Sequence, residues 1–170
     1  LVFSVDAMVR EDVEMLKTLP NFSKYLGGGS EVRAVRTIYP SVTYPIHVTL
    51  ATGCYPDRHG VYSNYDFTTG SKEETWMWFH DAVKVPDLFA AAKGAGYSTA
   101  SIFWPVTGRH PHVDHLINEY WMPEPDDTLE SSFRRAGSSE EVIRIIQRHR
   151  SLLPPSHVKT GRLNMMVQPF

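Results

Sequence analysis

Apolar residues along this chain fall into short runs whose spacing predicts alternating strands and helices. The opening run Leu1–Val5 is rich in β-branched and aromatic residues, which is typical of a buried strand in a parallel sheet. A helix is predicted to begin at Val85-Pro86-Asp87 and to end at Gly94-Ala95-Gly96, directly before a second apolar run at Tyr97–Phe103. Strand, helix and strand in this order predict an α/β domain.

The other helices are predicted where apolar residues recur at helical spacing and a proline or glycine follows. One further strand is predicted from an alternation of apolar and charged residues. The stretches without a clear period, Asp57–Glu74 and Trp104–Pro125, are predicted to be loops. The predicted helices are Glu11–Thr18, Asn21–Leu26, Pro45–Thr52 and Ser138–Arg150, and the predicted strand is Glu31–Ile38.

The segment Tyr39–Asn64 combines a loop, a short helix and a second loop, and it carries the most specific candidate chemistry. Thr43 lies just before Pro45, which can open the helix, and Asn64 follows in the second loop. The start of a helix presents unpaired backbone N–H groups and the positive end of the helix dipole. A hydroxyl at this position faces a site that favours anions, so we predict that Thr43 is a nucleophile aimed at a phosphorus centre.

Asp6 directly follows the first predicted strand, at the edge of the sheet where ligands gather in open α/β folds. A metal ion held by this carboxylate could lower the pKa of the Thr43 hydroxyl and shield the charge of a phosphate. Asn64 could then donate a hydrogen bond to a non-bridging oxygen as charge builds in the transition state. From position alone, a helix cap or a turn former is the favoured interpretation of Asp6.

Two further groups of side chains have both a structural and a functional interpretation. The aromatic cluster Thr75–Phe79 is either core or lid, or a stacking surface for a flat ligand. The second group lies between prolines in a predicted loop, which lacks the rigid geometry that a metal site needs. We therefore favour a solvated or substrate-side loop over a metal site for His110, His112, Asp114 and His115.

Composition narrows the class of protein. The chain has 170 residues, of which 42% are apolar and 21% charged, as expected for one globular domain rather than a disordered segment. A net charge of −2 gives no sign of a nucleic-acid partner, and no apolar run is long enough to span a membrane. A single cysteine, Cys54, weakly favours a reducing compartment, so we predict a cytoplasmic location. Because the chain opens at Leu1 within an apolar run, we expect it to be a piece of a longer protein.

Five motifs follow one another along about the first 105 residues. They are Ser4-Val5-Asp6, Tyr39-Pro40-Ser41-Val42-Thr43-Tyr44-Pro45, the run from Thr52 to Gly60 with Asn64, the run from Lys84 to Gly96, and Phe103-Trp104-Pro105. Together they resemble the nucleotide pyrophosphatase/phosphodiesterase family of the alkaline phosphatase superfamily, and the spacing from Thr43 to Asn64 is that of the family. The resemblance implies an alkaline phosphatase-like α/β core, with a mostly parallel sheet flanked by helices, of which 1–170 is the N-terminal part of a single catalytic domain, truncated after 170.

The resemblance also implies a mechanism and a cofactor. The family hydrolyses phosphodiester or pyrophosphate bonds with two zinc ions, a threonine nucleophile and a phospho-threonine intermediate. Asp6 is similar to a ligand of one metal, Thr43 to the nucleophile that also contacts this metal, and Asn64 to the oxyanion partner. Ile46 stands at a position, directly before His47, where the family usually has asparagine. The family's other metal ligands come from later motifs, so we expect this chain alone to bind metal poorly and to catalyse little; the expected substrate is a small phosphodiester or a nucleotide.

Three alternatives stay open. Cys54-Tyr55-Pro56-Asp57-Arg58 fits the sulfatase pattern, in which the cysteine becomes the nucleophile, although Thr52-Gly53 precedes Cys54 and this register favours Thr43. The protein could instead be a non-catalytic relative that binds a phosphorylated ligand. Finally, the chain as it stands could be an unfinished domain without activity of its own.

Overall fold

The structure is a computed structural model that describes residues 1–67, 75–119 and 128–152. It divides into two compact units, Leu1–Ile38 and the chain from Tyr39 onward. The prediction that both belong to one catalytic domain stays a prediction, and each unit is described by itself.

The first unit contains two short helices, α1 (Arg10–Leu16) and α2 (Pro20–Leu26). The carboxylate of Asp12 accepts a hydrogen bond from the backbone N–H of Val9 at 2.9 Å, which ties down the start of α1. Pro20 occupies the first turn of α2, where its missing N–H costs nothing. The two helices predicted for this part of the chain are therefore confirmed.

Both strands predicted for the first unit are wrong in this structure. Leu1–Val5 and Glu31–Ile38 form no strand, and their side chains are largely exposed. An apolar or alternating pattern gives the capacity to pair, but a strand forms only when a neighbour accepts its backbone hydrogen bonds. The exposed apolar side chains of these segments include Leu1, Val2, Phe3, Val5, Val32 and Val35.

The second unit opens with α3 (Thr43–Thr52), two residues earlier than predicted. Gly53 ends α3 with a φ of 66°, which is the left-handed conformation that glycine adopts at no steric cost. A four-residue helix, α4 (Pro56–His59), follows in the stretch that was predicted to be loop. It is too short to leave a periodic signal, although Pro56 and Gly60 mark its two ends.

Two small sheets follow α4. Strands β1 (Tyr65–Asp66) and β2 (Thr75–Trp76) pair antiparallel, with Tyr65 opposite Trp76, and residues 68–74 of the predicted loop lie outside the described residues. Strands β3 (Ala100–Ile102) and β4 (His115–Ile117) pair in parallel. The loop prediction missed β1 and β4, because strands of two or three residues carry almost no periodic signal.

The second unit contains three further helices among its described residues. Helix α5 (Leu88–Gly94) precedes β3 as predicted, and Asp87 caps it by accepting from Ala90 N at 2.9 Å. Helix α7 (Glu140–Arg148) confirms the last helix prediction, whereas α6 (Leu129–Arg135) had no prediction. Helix α7 packs against α6 and β4. Short 3-10 turns lie at His80–Ala82 and Arg150–Leu152.

The core beneath α3 fixes the position of this helix. Tyr44, Val48, Val61 and Val106 form a buried cluster, and each apolar side chain of this size contributes about 1.5–3 kcal/mol when fully buried. Partly buried side chains of the aromatic segment, among them Trp76 and Trp78, pack around it. The start of α3 is therefore held from several sides. Among the described helices, none is long and apolar enough to cross a membrane.

Candidate active site

The first turn of α3 leaves one backbone donor open. Val42 is extended and accepts the N–H of Ile46 at 3.2 Å, while Pro45 has no N–H to satisfy. Within the described residues, the N–H of Thr43 has no hydrogen-bond partner. The start of α3 therefore keeps a free donor at the positive end of its dipole.

Asn64 is bound to this same turn. Its Oδ1 accepts a hydrogen bond from the N–H of Tyr44 at 2.8 Å. Because a backbone N–H can only donate, the oxygen of the amide must be the atom that faces Tyr44. The amide nitrogen is therefore the end that does not face Tyr44 N, and it has no hydrogen-bond partner within the described residues.

His47 holds the backbone of the candidate nucleophile. Its Nδ1 lies 2.8 Å from the carbonyl oxygen of Thr43, so Nδ1 carries the proton and donates. Trp104 packs edge-on against the His47 ring, with 5.1 Å between ring centroids. The ring is buried, so this hydrogen bond is sheltered from water.

The Thr43 side chain is half-buried at the start of α3, and its hydroxyl has no hydrogen-bond partner within the described residues. The structure therefore brings two of the predicted site residues together, Thr43 and Asn64, through the backbone of Tyr44. An open hydroxyl, an open amide donor and an open backbone N–H can bind a tetrahedral anion.

Asp6 belongs to the first unit. It lies in a turn, its carboxylate is exposed, and within the described residues it has neither a hydrogen bond nor an ion pair. Ala7 beside it has a φ of 57°, which is uncommon for a residue other than glycine. The carboxylate of Asp6 is therefore an open oxygen donor of a kind that can bind zinc.

The aromatic segment lies next to Asn64. Met77 N donates to the carbonyl of Asn64 at 2.9 Å, and the Tyr65 and Trp76 rings lie 4.6 Å apart between centroids. Trp76 also packs against Tyr44, at 5.5 Å. Trp76 is only half-buried, so the segment is partly core and partly surface, and both of its predicted interpretations stay open.

One group of histidine and carboxylate side chains within the described residues could hold a metal ion: His80, Asp87 and His110. The Oδ2 atom of Asp87 lies 2.7 Å from His110 Nε2 and 3.1 Å from His80 Nε2. The His80 and His110 rings are in contact, with centroids 3.8 Å apart and ring planes tilted by 47°. Sequence reasoning missed this cluster because its members come from three separate segments.

The hydrogen bonds of His110 argue against a metal at this cluster. His112 donates its backbone N–H to His110 Nδ1 at 3.0 Å, so Nδ1 is unprotonated and Nε2 carries the proton. A protonated Nε2 donates to Asp87 and has no lone pair for a metal. Burial would raise the pKa of Asp87, but hydrogen bonds from His110, His80 and Ala90 outweigh it and hold this pKa below its usual range.

The prediction of a solvated loop at positions 110–115 is wrong for two of its residues. His110 is buried, and Asp114 accepts hydrogen bonds from the N–H and the hydroxyl of Thr99 at 2.9 and 3.2 Å. Asp114 also pairs with Lys93, and these contacts lower its pKa to about 2, with Lys93 the largest cause. Both side chains are therefore structural, while His115 begins β4.

Cys54, the alternative nucleophile, lies after α3 rather than at its start. It is half-buried and free, and its N–H donates to the Thr52 hydroxyl at 3.2 Å. This hydrogen bond belongs to the turn that ends the helix, where the carbonyl end of the dipole disfavours an anion.

The chain matches the sequence profile of the family described as type I phosphodiesterase / nucleotide pyrophosphatase over residues 1–158. It belongs to this family, and the predicted resemblance is confirmed. Family membership, together with the parallel pairing of β3 and β4, agrees with the predicted α/β class.

Curated relatives give the same result. The chain is 30% identical over 130 residues to ectonucleotide pyrophosphatase/phosphodiesterase family member 3 of Rattus norvegicus, covering 66% of this chain and 14% of that protein. It is 31% identical over 136 residues to family member 1 of Homo sapiens, covering 69% and 14%. It is 28% identical over 134 residues to the venom phosphodiesterase of Naja atra, covering 70% and 16%. The chain therefore spans between 14% and 16% of the length of these relatives.

Among solved structures, the chain is similar to murine ectonucleotide pyrophosphatase/phosphodiesterase 5. The identity is 20%, the TM-score is 0.46, and the match covers 71% of this chain and 34% of that one. An inactive variant of the same murine protein in complex with AMP gives a TM-score of 0.47 at 20% identity, covering 72% and 34%.

Proposed function

We propose that the protein is a metal-dependent hydrolase of phosphodiester or pyrophosphate bonds that uses Thr43 as its nucleophile. Family membership supports the reaction class. The roles assigned to Thr43 and Asn64 rest on one observation. The amide oxygen of Asn64 accepts a hydrogen bond from the N–H of Tyr44, the residue after Thr43, and this leaves the N–H₂ group of the amide open.

Thr43 acts by in-line attack. Its Oγ forms a bond to phosphorus, its hydroxyl proton is released to solvent, and the leaving oxygen departs with the electron pair of the bond that breaks. Water then cleaves the phospho-threonine and restores the hydroxyl. Attack from a fixed helix start removes much of the orientational cost of the reaction, because His47 holds the Thr43 carbonyl.

Asn64 and the open N–H of Thr43 stabilise the charge that builds on the phosphoryl oxygens. The N–H₂ group of Asn64 donates to a non-bridging oxygen, and its anchored oxygen keeps this group oriented before the substrate arrives. The dipole of α3 adds positive potential at the same place.

Two divalent metal ions, zinc by family resemblance, complete the proposed site. Asp6 and Thr43 would hold one of them through oxygen, and the other ligands are expected outside this chain. When bound, the metal supplies a lower pKa for the hydroxyl and neutralises phosphate charge. The chain alone is accordingly proposed to be inactive.

The proposed substrate is a small phosphodiester or a nucleotide. The partly exposed rings of Tyr65 and Trp76, next to Asn64, support a flat substituent on the phosphate. The predicted absence of a nucleic-acid partner and the predicted cytoplasmic location stay predictions.

The test is hydrolysis of a chromogenic phosphodiester by the full-length protein with zinc. We expect Thr43→Ala to lower kcat about 10³-fold or more, while Ser41→Ala, which removes an exposed hydroxyl two positions earlier, leaves kcat within about twofold. Acid quenching of the wild type with a labelled substrate is expected to trap label on Thr43.

Two outcomes would overturn the proposal. Preference for a sulfate ester that disappears in Cys54→Ser would favour the sulfatase-like alternative. Tight binding of a phosphorylated ligand without turnover, unchanged in Thr43→Ala, would favour a non-catalytic binding protein.

A further inference from the structure

The imidazole of His59 is fully buried beside α3, and the proposed reaction does not use it. Val61 donates its backbone N–H to His59 Nδ1 at 3.2 Å. Because the backbone N–H can only donate, Nδ1 is unprotonated and Nε2 carries the proton. Nε2 therefore donates to the hydroxyl of Thr49 at 3.0 Å.

These two hydrogen bonds join the loop that carries Asn64 to the helix that carries Thr43. Thr49 lies on α3, and Val61 lies in the loop shortly before Asn64. The far end of this loop returns to α3 through the hydrogen bond from Tyr44 N to Asn64 Oδ1, at 2.8 Å. The loop is thus fastened to α3 at two points, one within the helix and one at its start.

The segment between the two points has little room to adjust. Gly60 has a φ of 85°, and a Cβ at this position would lie 3.0 Å from a side-chain carbon of Lys84. Lys84 also donates its N–H to the carbonyl of His59 at 3.1 Å, and Val61 is fully buried in the core. If His59 moves, we therefore expect Asn64 to move as well, because the tightly packed segment between them has little room to adjust.

We infer that His59, acting through Thr49, is a positioning residue that holds Asn64 over the start of α3. His59 itself does not contact the substrate. The inference rests on the proposed function, because it gives a reason for the position of Asn64 in that reaction.

The charge state of the ring agrees with this role. Burial lowers the pKa of His59, while Asp57 and the nearby carbonyl groups of His59 and Pro45 act in the opposite direction. Only the neutral ring has the lone pair on Nδ1 that accepts from Val61.

The first test compares Thr49→Val, which removes the hydroxyl at similar volume, with Thr49→Ser, which keeps it. In the full-length protein we expect Thr49→Val to lower kcat about tenfold with little change in KM, because a slightly misplaced donor weakens the transition state more than substrate binding. Thr49→Ser is expected to stay within about twofold. Equal kcat values for both variants would overturn the inference.

The second test is a double-mutant cycle with Asn64→Ala. If the Thr49–His59 contact acts through Asn64, then Thr49→Val has no further effect on kcat once Asn64 is absent. The same tenfold loss in both backgrounds would overturn the inference, because it would mean a general effect on the helix. If Thr49→Val does not fold, His59→Asn serves in its place, since its amide oxygen can still accept from Val61 near the position of Nδ1 while the donor to Thr49 is lost.

The third test does not depend on activity. In crystals of the Thr49→Val variant, we expect the distance from Tyr44 N to Asn64 Oδ1 to lengthen beyond hydrogen-bond range, whereas in Thr49→Ser it stays near 2.8 Å. An unmoved Asn64 would overturn the inference even if hydrolysis by Thr43 is verified. Conversely, full activity of Thr43→Ala would overturn the proposed function and leave this distance as the deciding measurement for His59.

Discussion

The second unit contains two sets of polar side chains that differ in whether their donors and acceptors are hydrogen-bonded within the protein. In the cluster of His80, Asp87 and His110, both carboxylate oxygens and both nitrogens of His110 have partners within the protein. At the start of α3, the hydroxyl of Thr43 and the N–H₂ group of Asn64 have none within the described residues. A closed network stabilises the fold, while an open one is available to a ligand.

The two groups also differ in how they are assembled. Thr43 and Asn64 lie in one continuous segment with a recognisable spacing, and the helix and its following loop bring them together. His80, Asp87 and His110 come from a 3-10 turn, a helix cap and a loop. The open group is a motif, and the closed group is a product of packing.

The largest expected effect on stability separates the two groups directly. We expect Asp87→Ala to lower the free energy of unfolding by about 3–5 kcal/mol, because it leaves the buried His110, the partly buried His80 and a helix start without their acceptor. Asp81→Ala, at an exposed carboxylate nearby, should change it by less than about 0.5 kcal/mol. The measurement is denaturant unfolding of the full-length protein.

A metal ion bound by His80, Asp87 and His110 would contradict the interpretation that this cluster is a closed hydrogen-bond network. A chelator that destabilises the wild type but not Asp87→Ala, before any effect on catalysis, would contradict the hydrogen-bonded interpretation.

The next largest effect concerns catalysis rather than stability. Asn64→Asp keeps the oxygen that accepts from Tyr44 N and removes the N–H₂ donor. We expect kcat to fall by about 10²–10³-fold, which corresponds to about 2.7–4 kcal/mol of lost transition-state stabilisation. Steady-state hydrolysis of the chromogenic phosphodiester measures it, and a variant with wild-type kcat would remove Asn64 from the proposed mechanism.

Acid should weaken the two regions in different pH windows. The folded-state pKa of His59 is lowered, so the unfolded state binds more protons below about pH 6.5, and stability falls as the pH drops through this range. The pKa of Asp87 is lowered from 3.8, so its contribution is present above about pH 3.8 and is lost only below that value.

The pH dependence can be checked by denaturant unfolding between about pH 7.5 and 3. His59→Gln should remove the loss just below pH 6.5, and Asp87→Ala should remove the loss below pH 3.8. A wild-type curve that is flat from pH 6.5 to 4 would contradict the buried neutral state of His59.

The smallest expected effect on the free energy of unfolding comes from a helix cap that belongs to neither group. It shows how much one ordinary capping hydrogen bond contributes to stability. Ser139 caps α7 by accepting from Val142 N at 3.4 Å. Ser139→Ala should lower the free energy of unfolding by about 1 kcal/mol, and Ser139→Asp should restore it. A cost as large as that of Asp87→Ala would mean that the cluster is no more than a set of ordinary contacts.

Five of the described helices were predicted because their signals are local, whereas α4 and α6 were missed. Prolines, glycines and capping residues mark the ends of α2, α3 and α5, and these marks act within a few positions of the chain. Strands were predicted poorly: β4 was missed, and Leu1–Val5 pairs with no strand among the described residues. A strand depends on a partner that is remote in sequence.

The sequence by itself determined the family, a helix over Pro45–Thr52 and the presence of Asn64 at the family's spacing from Thr43, because these depend on short segments and on residue types. Only the tertiary structure decided which end of the Asn64 amide stays open, that the buried ring of His59 bonds to both Thr49 and Val61, and that His110 is buried against Asp87. Each of these features depends on donors and acceptors that folding brings together from distant positions. Once they are buried, these groups must hydrogen-bond to one another, because an unpaired buried polar group costs free energy.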